Sequence, residues 1–114
     1  MALFDRQVAE ITEQDLLALI HNKDAEGKTL DYKRDAVGAG GSDKKEFLYD
    51  ASSFANTRRG HLIFGMEEAA GEPTNLVGLV NVDPDREVLR LEQMLRDGIR
   101  PPLSGVETVP VKLQ

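Results

Sequence analysis

The apolar run "HLIF", residues 61–64, stands between Gly60 and Gly65 and constrains the fold more than any other stretch of the chain. A continuous apolar run bounded by turn signals is the pattern of a central strand, which needs neighbours to cover it. Upstream, Phe47, Leu48, Ala51, Phe54 and Ala55 recur at helical spacing, so a helix is expected from Ser42 or Asp43, with Glu46 in capping-box position to Asp43. Downstream come Glu67 and Glu68, then "AAGEPTN", which reads as a turn, and "LVGLV" as the returning strand, making residues 61–80 a hairpin. Earlier, "TLDYKR" alternates: Leu30 and Tyr32 share one face of a strand, Asp31 and Lys33 the other.

The remaining elements follow from caps and periodicity. Thr12, with Asp15 three residues on, opens a helix to about Asn22 whose inner face is Leu16, Leu17 and Ile20. "DAVGAGGSD" is a glycine-rich loop expected to be mobile. Asp83 caps a third helix with Pro84 at its first position. Val88, Leu91, Leu95 and Ile99 face inward there, Glu92 and Arg96 pair on the wet side, and Pro101 and Pro102 stop it. "GVETVPVKL" supplies a last strand with Pro110 at an edge. The expectation is an α+β fold, a small mixed β-sheet packed with about three helices, in the order α-β-α-β-β-α-β.

At 114 residues and 40% hydrophobic content, residues 1–114 form a single domain with one modest core. The end at Gln114, straight after a strand-like segment, suggests a domain cut from a longer protein. No run is long enough to span a bilayer, and "MALFDRQVAE" lacks the order of a signal peptide, so no membrane partner is expected. The absence of cysteine excludes disulfides and thiolate metal sites and fits a cytoplasmic protein. A net charge of -6 argues against non-specific coating of nucleic acid, although a local basic patch needs only clustered cations.

Several constellations carry chemistry. Gly27-Lys28-Thr29 resembles the tail of a phosphate loop, but Asn22 stands where a glycine is needed and the flanking elements are in the wrong order. Asp31 and Lys33 put a carboxylate and an ammonium on one strand face, an arrangement suited to a divalent ion and phosphate charge. Glu26 can complete one side of such a site and Glu67 or Glu68 the other, and hard oxygen ligands suit Mg²⁺ or Mn²⁺. A strand with a polar, solvated face produces the same pattern, and the residues alone leave both readings open. Lys44-Lys45 and Arg58-Arg59 flank the second helix; with Lys33 and Arg34 they are the candidate nucleic-acid contacts. His21 and His61 have no partner at catalytic or ligand spacing, and the serines lack a nucleophile-elbow context.

"TLDYKRD", "KKEFLYDASSFANTRRGHLIFGMEE" and "LVGL" together resemble the Schlafen AlbA-like domain, described in bacteria as a DNA-binding domain of transcriptional regulators. Members typically read Leu-Glu-Phe-Lys on the first strand, then a helix ending Ala-Phe-Ala-Asn-Thr, a Gly-Gly turn, a strand ending Gly-Val-x-Asp, and a Val-Gly-Leu return. The likeness runs from Glu26 to Leu113, and Phe54-Ala55-Asn56-Thr57 with Gly60 and Gly65 is its specific part. It implies nucleic-acid binding and, in some members, metal-dependent RNA cleavage by three acids. Those acids fall on Glu26, Asp31 and either Glu67 or Glu68, with Lys33 following the second; Glu26, Asp31 and Glu67 are the implied metal ligands. Three positions depart from the pattern: Asp31 replaces Glu, Arg59 replaces the first turn Gly, and Glu replaces the third Asp. A changed carboxylate length can displace a metal by about an ångström, enough to impair catalysis.

Three functions are therefore in view. The first is a nucleic-acid-binding module of a larger transcriptional-regulator or defence protein, with homodimerisation among its expected associations. The second is a metal-dependent endoribonuclease using Glu26, Asp31, Lys33 and Glu67 or Glu68. The third is a protein-interaction or oligomerisation domain.

Overall fold

The computed structural model describes residues 7–113 except Lys28, Ala39, Arg58, Arg59, Pro102 and Ser104; of Asn56 and Thr57 only the backbone is considered. Helix α1 spans Glu13–His21, strand β1 Leu30–Lys33, α2 Gly41–Thr57, β2 His61–Phe64, β3 Met66–Ala69, β4 Glu72–Leu76 and α3 Pro84–Gly98. Among the described residues the class is α+β with three α-helices, as expected, and a 3₁₀ turn at Val8–Glu10 precedes α1.

Among the described residues the strands form two pairs rather than one mixed sheet. β1 and β2 run parallel, with Leu30 opposite His61 and Lys33 opposite Phe64, and α2 is the crossover that a parallel pair needs. β3 and β4 are antiparallel. Alternation along the parallel pair divides the interior. Leu30, Tyr32 and Ile63 join Leu16, Leu19 and Met66 on one side, under α1 and the β3–β4 hairpin. Leu62 and Phe64 join Phe47, Leu91 and Leu95 on the other, under α2 and α3. The Phe47 and Phe64 rings meet at 6.2 Å between centroids.

Thr12 and Asp15 form the expected capping box of α1. Of the expected inner face, Leu16 and Ile20 pack into the core on the α1 side, but Leu19 takes the place of Leu17, because one helical step from Leu16 swings a side chain by about 100° whereas three steps bring it back within about 60°. Leu17 is left 39% exposed. α1 ends with Lys23 in the left-handed region, Lys23 N–H donating to Ile20 O and Asp24 N–H to Leu19 O, a Schellman closure. α2 starts at Gly41, so Asp43 lies inside its first turn instead of capping it, and Glu46 turns toward Lys33. α3 has its expected cap, Asp83 Oδ1 accepting from Asp85 and Arg86 N–H. Glu92 and Arg96 do not pair among the described residues; Glu87 and Arg90 do, at 3.0 Å.

The hairpin is tighter than the sequence suggested. β2 ends at Phe64, and Gly65, at φ 90°, turns the chain onto β3. Gly65 N–H donates to Lys33 O, and its carbonyl accepts from Val77 and Gly78 N–H. The returning strand is "EPTNL", not "LVGLV". Ala70 and Gly71 both have positive φ, the signature of a two-residue type I′ turn, and Ala-Gly announces such a turn less clearly than Asn-Gly would. A bulge between Glu67 and Glu68 accommodates Pro73, which lacks an N–H for the ladder. The expected final strand is not formed: among the described residues 105–113 none joins a ladder, and Val111 instead packs against the α1 side of the core.

Two substitutions test this frame by urea denaturation. Ala70→Asn is expected to raise stability by about 1 kcal/mol, because it relieves a left-handed alanine. Gly65→Ala should lower it by about 2 kcal/mol or more, since a left-handed non-glycine is strained. Its Cβ would also lie 2.9 Å from the Gly78 backbone.

Candidate nucleic-acid interface

Tyr32 organises the site from below. Its ring is buried at 3% exposure, and its hydroxyl donates to Asp24 O at 2.6 Å, at the closing turn of α1. Burial, and then the nearby charges of Asp24 and Glu26, push its phenol well above the usual range. β1 pairs with β2 along one edge only, so the Tyr32 N–H points away from the ladder, and Glu26 Oε2 accepts it at 2.9 Å. Glu26 N–H in turn donates to Gly71 O at 2.7 Å, and Gly27 N–H to Leu30 O. The Glu26 carboxylate thus finishes the open edge of β1 while standing beside the hairpin turn.

A cleft of about 620 Å³ opens there, lined by Glu26, Asp31, Tyr32, Lys33, Arg34, Met66, Glu67, Glu68 and Thr74. The acids expected at the site line this one cleft, but they are not equivalent. Glu26 is pushed up to about 7, first by burial, then by a hydrogen bond shared with the Asp31 carboxyl and by the charges of Asp31 and Glu68; the Tyr32 N–H opposes this. Glu67 is engaged on both oxygens, Oε2 with Arg34 Nε at 2.9 Å and Oε1 with Asn75 Nδ2 at 3.3 Å. Glu68 Oε2 accepts the Gly71 N–H at 2.8 Å and belongs to the turn.

Lys33 does not reach freely into solvent. Its Nζ lies 3.4 Å from Asp31, 3.6 Å from Glu46 and 3.7 Å from Asp50. Burial opposes the charge, but these three carboxylates hold the ammonium above its usual range. Asp50 is pushed up by burial, with Lys33 pulling the other way. Its Oδ2 is occluded from solvent and has no hydrogen-bond donor among the described residues, since 3.7 Å is an ion-pair rather than a hydrogen-bond distance. Glu46 and Asp50 complete this cluster without belonging to any of the candidate site motifs of the sequence. Their signal was their spacing: four apart on α2, beside the Phe47–Ala51 stripe that faces the strands.

The other candidate cations separate into two kinds. Arg34 is 61% exposed and bridges Glu67 and Asp35, whereas Lys44 and Lys45 are exposed and make no ion pair among the described residues. Arg58 and Arg59 lie outside the described residues. Burial pushes His61 below its usual range.

Among the described residues no group of three or more His, Asp or Glu side chains is gathered closely enough to hold a metal ion. Glu26 and Asp31 come together, but Glu67 is paired with Arg34 and Glu68 with the turn, so the arrangement does not fit a three-carboxylate metal site.

The family model described as Schlafen, AlbA_2 matches residues 26–114. The chain belongs to the Schlafen AlbA_2 family. The matched span takes in every cleft-lining residue and α2, and membership supports a nucleic-acid-related function for this AlbA_2 domain. No curated protein and no solved structure gives a significant match. No helix among the described residues is long and apolar enough to cross a membrane.

The Glu26 environment has a measurable consequence. A carboxyl whose folded pKa, about 7, lies above its ordinary 4.5 favours the folded state most when protonated. That stability is fully present below about pH 4.5 and is lost as pH rises through about 7. Glu26→Gln keeps an acceptor for Tyr32 N–H and removes the titration. Its urea midpoint should therefore fall less than that of the wild type between about pH 5 and pH 8. Parallel profiles for the two proteins would contradict the assigned environment.

Proposed function

We propose that this AlbA_2 domain is a nucleic-acid-binding module of a larger transcriptional-regulator or defence protein. The observation that carries the reading is the family match over residues 26–114. The charge distribution supports a local contact rather than a coat. With a net charge of -6, the chain as a whole repels phosphate, and Lys33 and Arg34 are already committed to its own carboxylates. Lys44 and Lys45 remain, exposed and without an ion pair among the described residues, at the start of α2. Arg58 and Arg59 follow the other end of that helix in sequence. These four cations are the proposed phosphate contacts, and each contact made would release counterions and steepen the salt dependence.

A metal-dependent endoribonuclease is the second reading, favoured by the meeting of Glu26 and Asp31 in one cleft. It requires a third carboxylate that the described geometry commits elsewhere, and it therefore stands behind the binding reading.

Fluorescence anisotropy with labelled single- and double-stranded DNA and RNA, titrated against salt, tests the proposal. Affinity should fall steeply with salt. Lys44→Ala with Lys45→Ala should flatten the logarithmic slope by about 2, one unit for each lost contact, and Arg58→Ala with Arg59→Ala should act alike. Absence of binding to every oligonucleotide at low salt would overturn the reading in favour of a protein-interaction domain.

A further inference from the structure

We infer that Arg34 is a built-in counter-ion that holds Glu67 and disfavours divalent metal in the cleft between β1 and β3. Glu67 offers two oxygens, and both are occupied: Arg34 Nε lies 2.9 Å from one and Asn75 Nδ2 3.3 Å from the other. The far side of the same guanidinium is held by Asp35, its Nη1 at 3.2 Å from Oδ1. Arg34 therefore has a carboxylate at each end, directly after the strand that carries Asp31 and Lys33.

A divalent ion drawn to Glu26 and Asp31 would have two obstacles. It would have to take Glu67 from the guanidinium, and it would then sit in the field of a fixed positive charge lining the same cleft. Glu68 is no ready substitute, because its Oε2 accepts the Gly71 N–H of the hairpin turn. The charges agree with this arrangement. The lining contains Glu26, Asp31, Glu67 and Glu68 against Lys33 and Arg34, so removing Arg34 leaves one ammonium among four carboxyl groups. An exposed ion pair is weak, since water screens it, so the arginine lowers metal affinity without abolishing it. Close repulsion between a guanidinium and a divalent ion in water corresponds to about a tenfold effect.

The inference goes beyond nucleic-acid binding and does not depend on it, because the probe is Mn²⁺ alone. Free Mn²⁺ would be followed by electron paramagnetic resonance, and Tm by calorimetry, for the wild type, Arg34→Gln, Arg34→Lys, Arg34→Gln with Glu67→Gln, and Arg96→Gln. Arg96 is an exposed cation on α3, outside the cleft lining, and controls for net charge. Arg34→Gln should bind Mn²⁺ about tenfold more tightly than wild type, with a matching fall in the concentration that raises Tm. Arg34→Lys should stay close to wild type, and adding Glu67→Gln should cancel the gain. Equal affinity in wild type and Arg34→Gln would overturn the inference. So would a gain that survives loss of Glu67, or one that Arg96→Gln reproduces. Arg34 is 61% exposed, so its substitution leaves the core intact.

Discussion

The Tyr32 side chain and its own backbone amide hold this domain's parts in register. The ring fills the core beneath α1, the hydroxyl reaches the carbonyl of Asp24 where α1 closes, and the N–H captures Glu26 at the free edge of β1. A buried phenol without an acceptor and a strand amide without a partner would each cost about 1–3 kcal/mol, so one residue satisfies two obligations at once. The chain between α1 and β1 is positioned by those two bonds. Glu26 also donates through its backbone to Gly71, so the same anchor sets where the β3–β4 hairpin stands relative to β1. The cleft exists because of that closure.

Its electrostatics follow from a four-residue strand placed between two cores. Leu30 and Tyr32 must face α1, so Asp31 and Lys33 must face away, toward α2. Burying those charges partly would be costly alone, and Glu46 and Asp50 from α2 offset the lysine. The consequence for function is that the chain's most central cation is spent on internal pairing. Arg34, one residue further, is spent on Glu67 and Asp35. The cleft's two cations are thus both engaged by carboxylates of the domain itself, and they offset only part of the charge of the four acids that line it.

Much of this was legible in the sequence. The capping box at Thr12 and Asp15, the Asp83-Pro84 start of α3 and the division of β1 into two faces rest on interactions within a few residues, and local chemistry decides them. Glu26, Asp31, Lys33, Glu67 and Glu68 were identifiable as cleft residues because strand alternation and family resemblance pointed to the same set. The hairpin was misplaced because Ala-Gly is a weak turn signal and Pro73 reads as a strand breaker until the bulge beside Glu68 is seen. "GVETVPVKL" has the alternation of a strand, yet Val111 is used for packing and no ladder partner is offered among the described residues.

By itself, then, the amino-acid order determined where the three helices lie, which face of β1 is apolar, and that Asp31 shares a strand face with Lys33, because each depends on neighbours at fixed short spacing. Only the tertiary structure decided how the charges pair. Glu67 lies 33 positions from Arg34, Asp50 lies on a helix across from Lys33, and Glu26 is matched to a hairpin turn far along the chain. Electrostatic partners are chosen by distance in space and by the water left between them. Neither quantity is written in the spacing of residues along a chain.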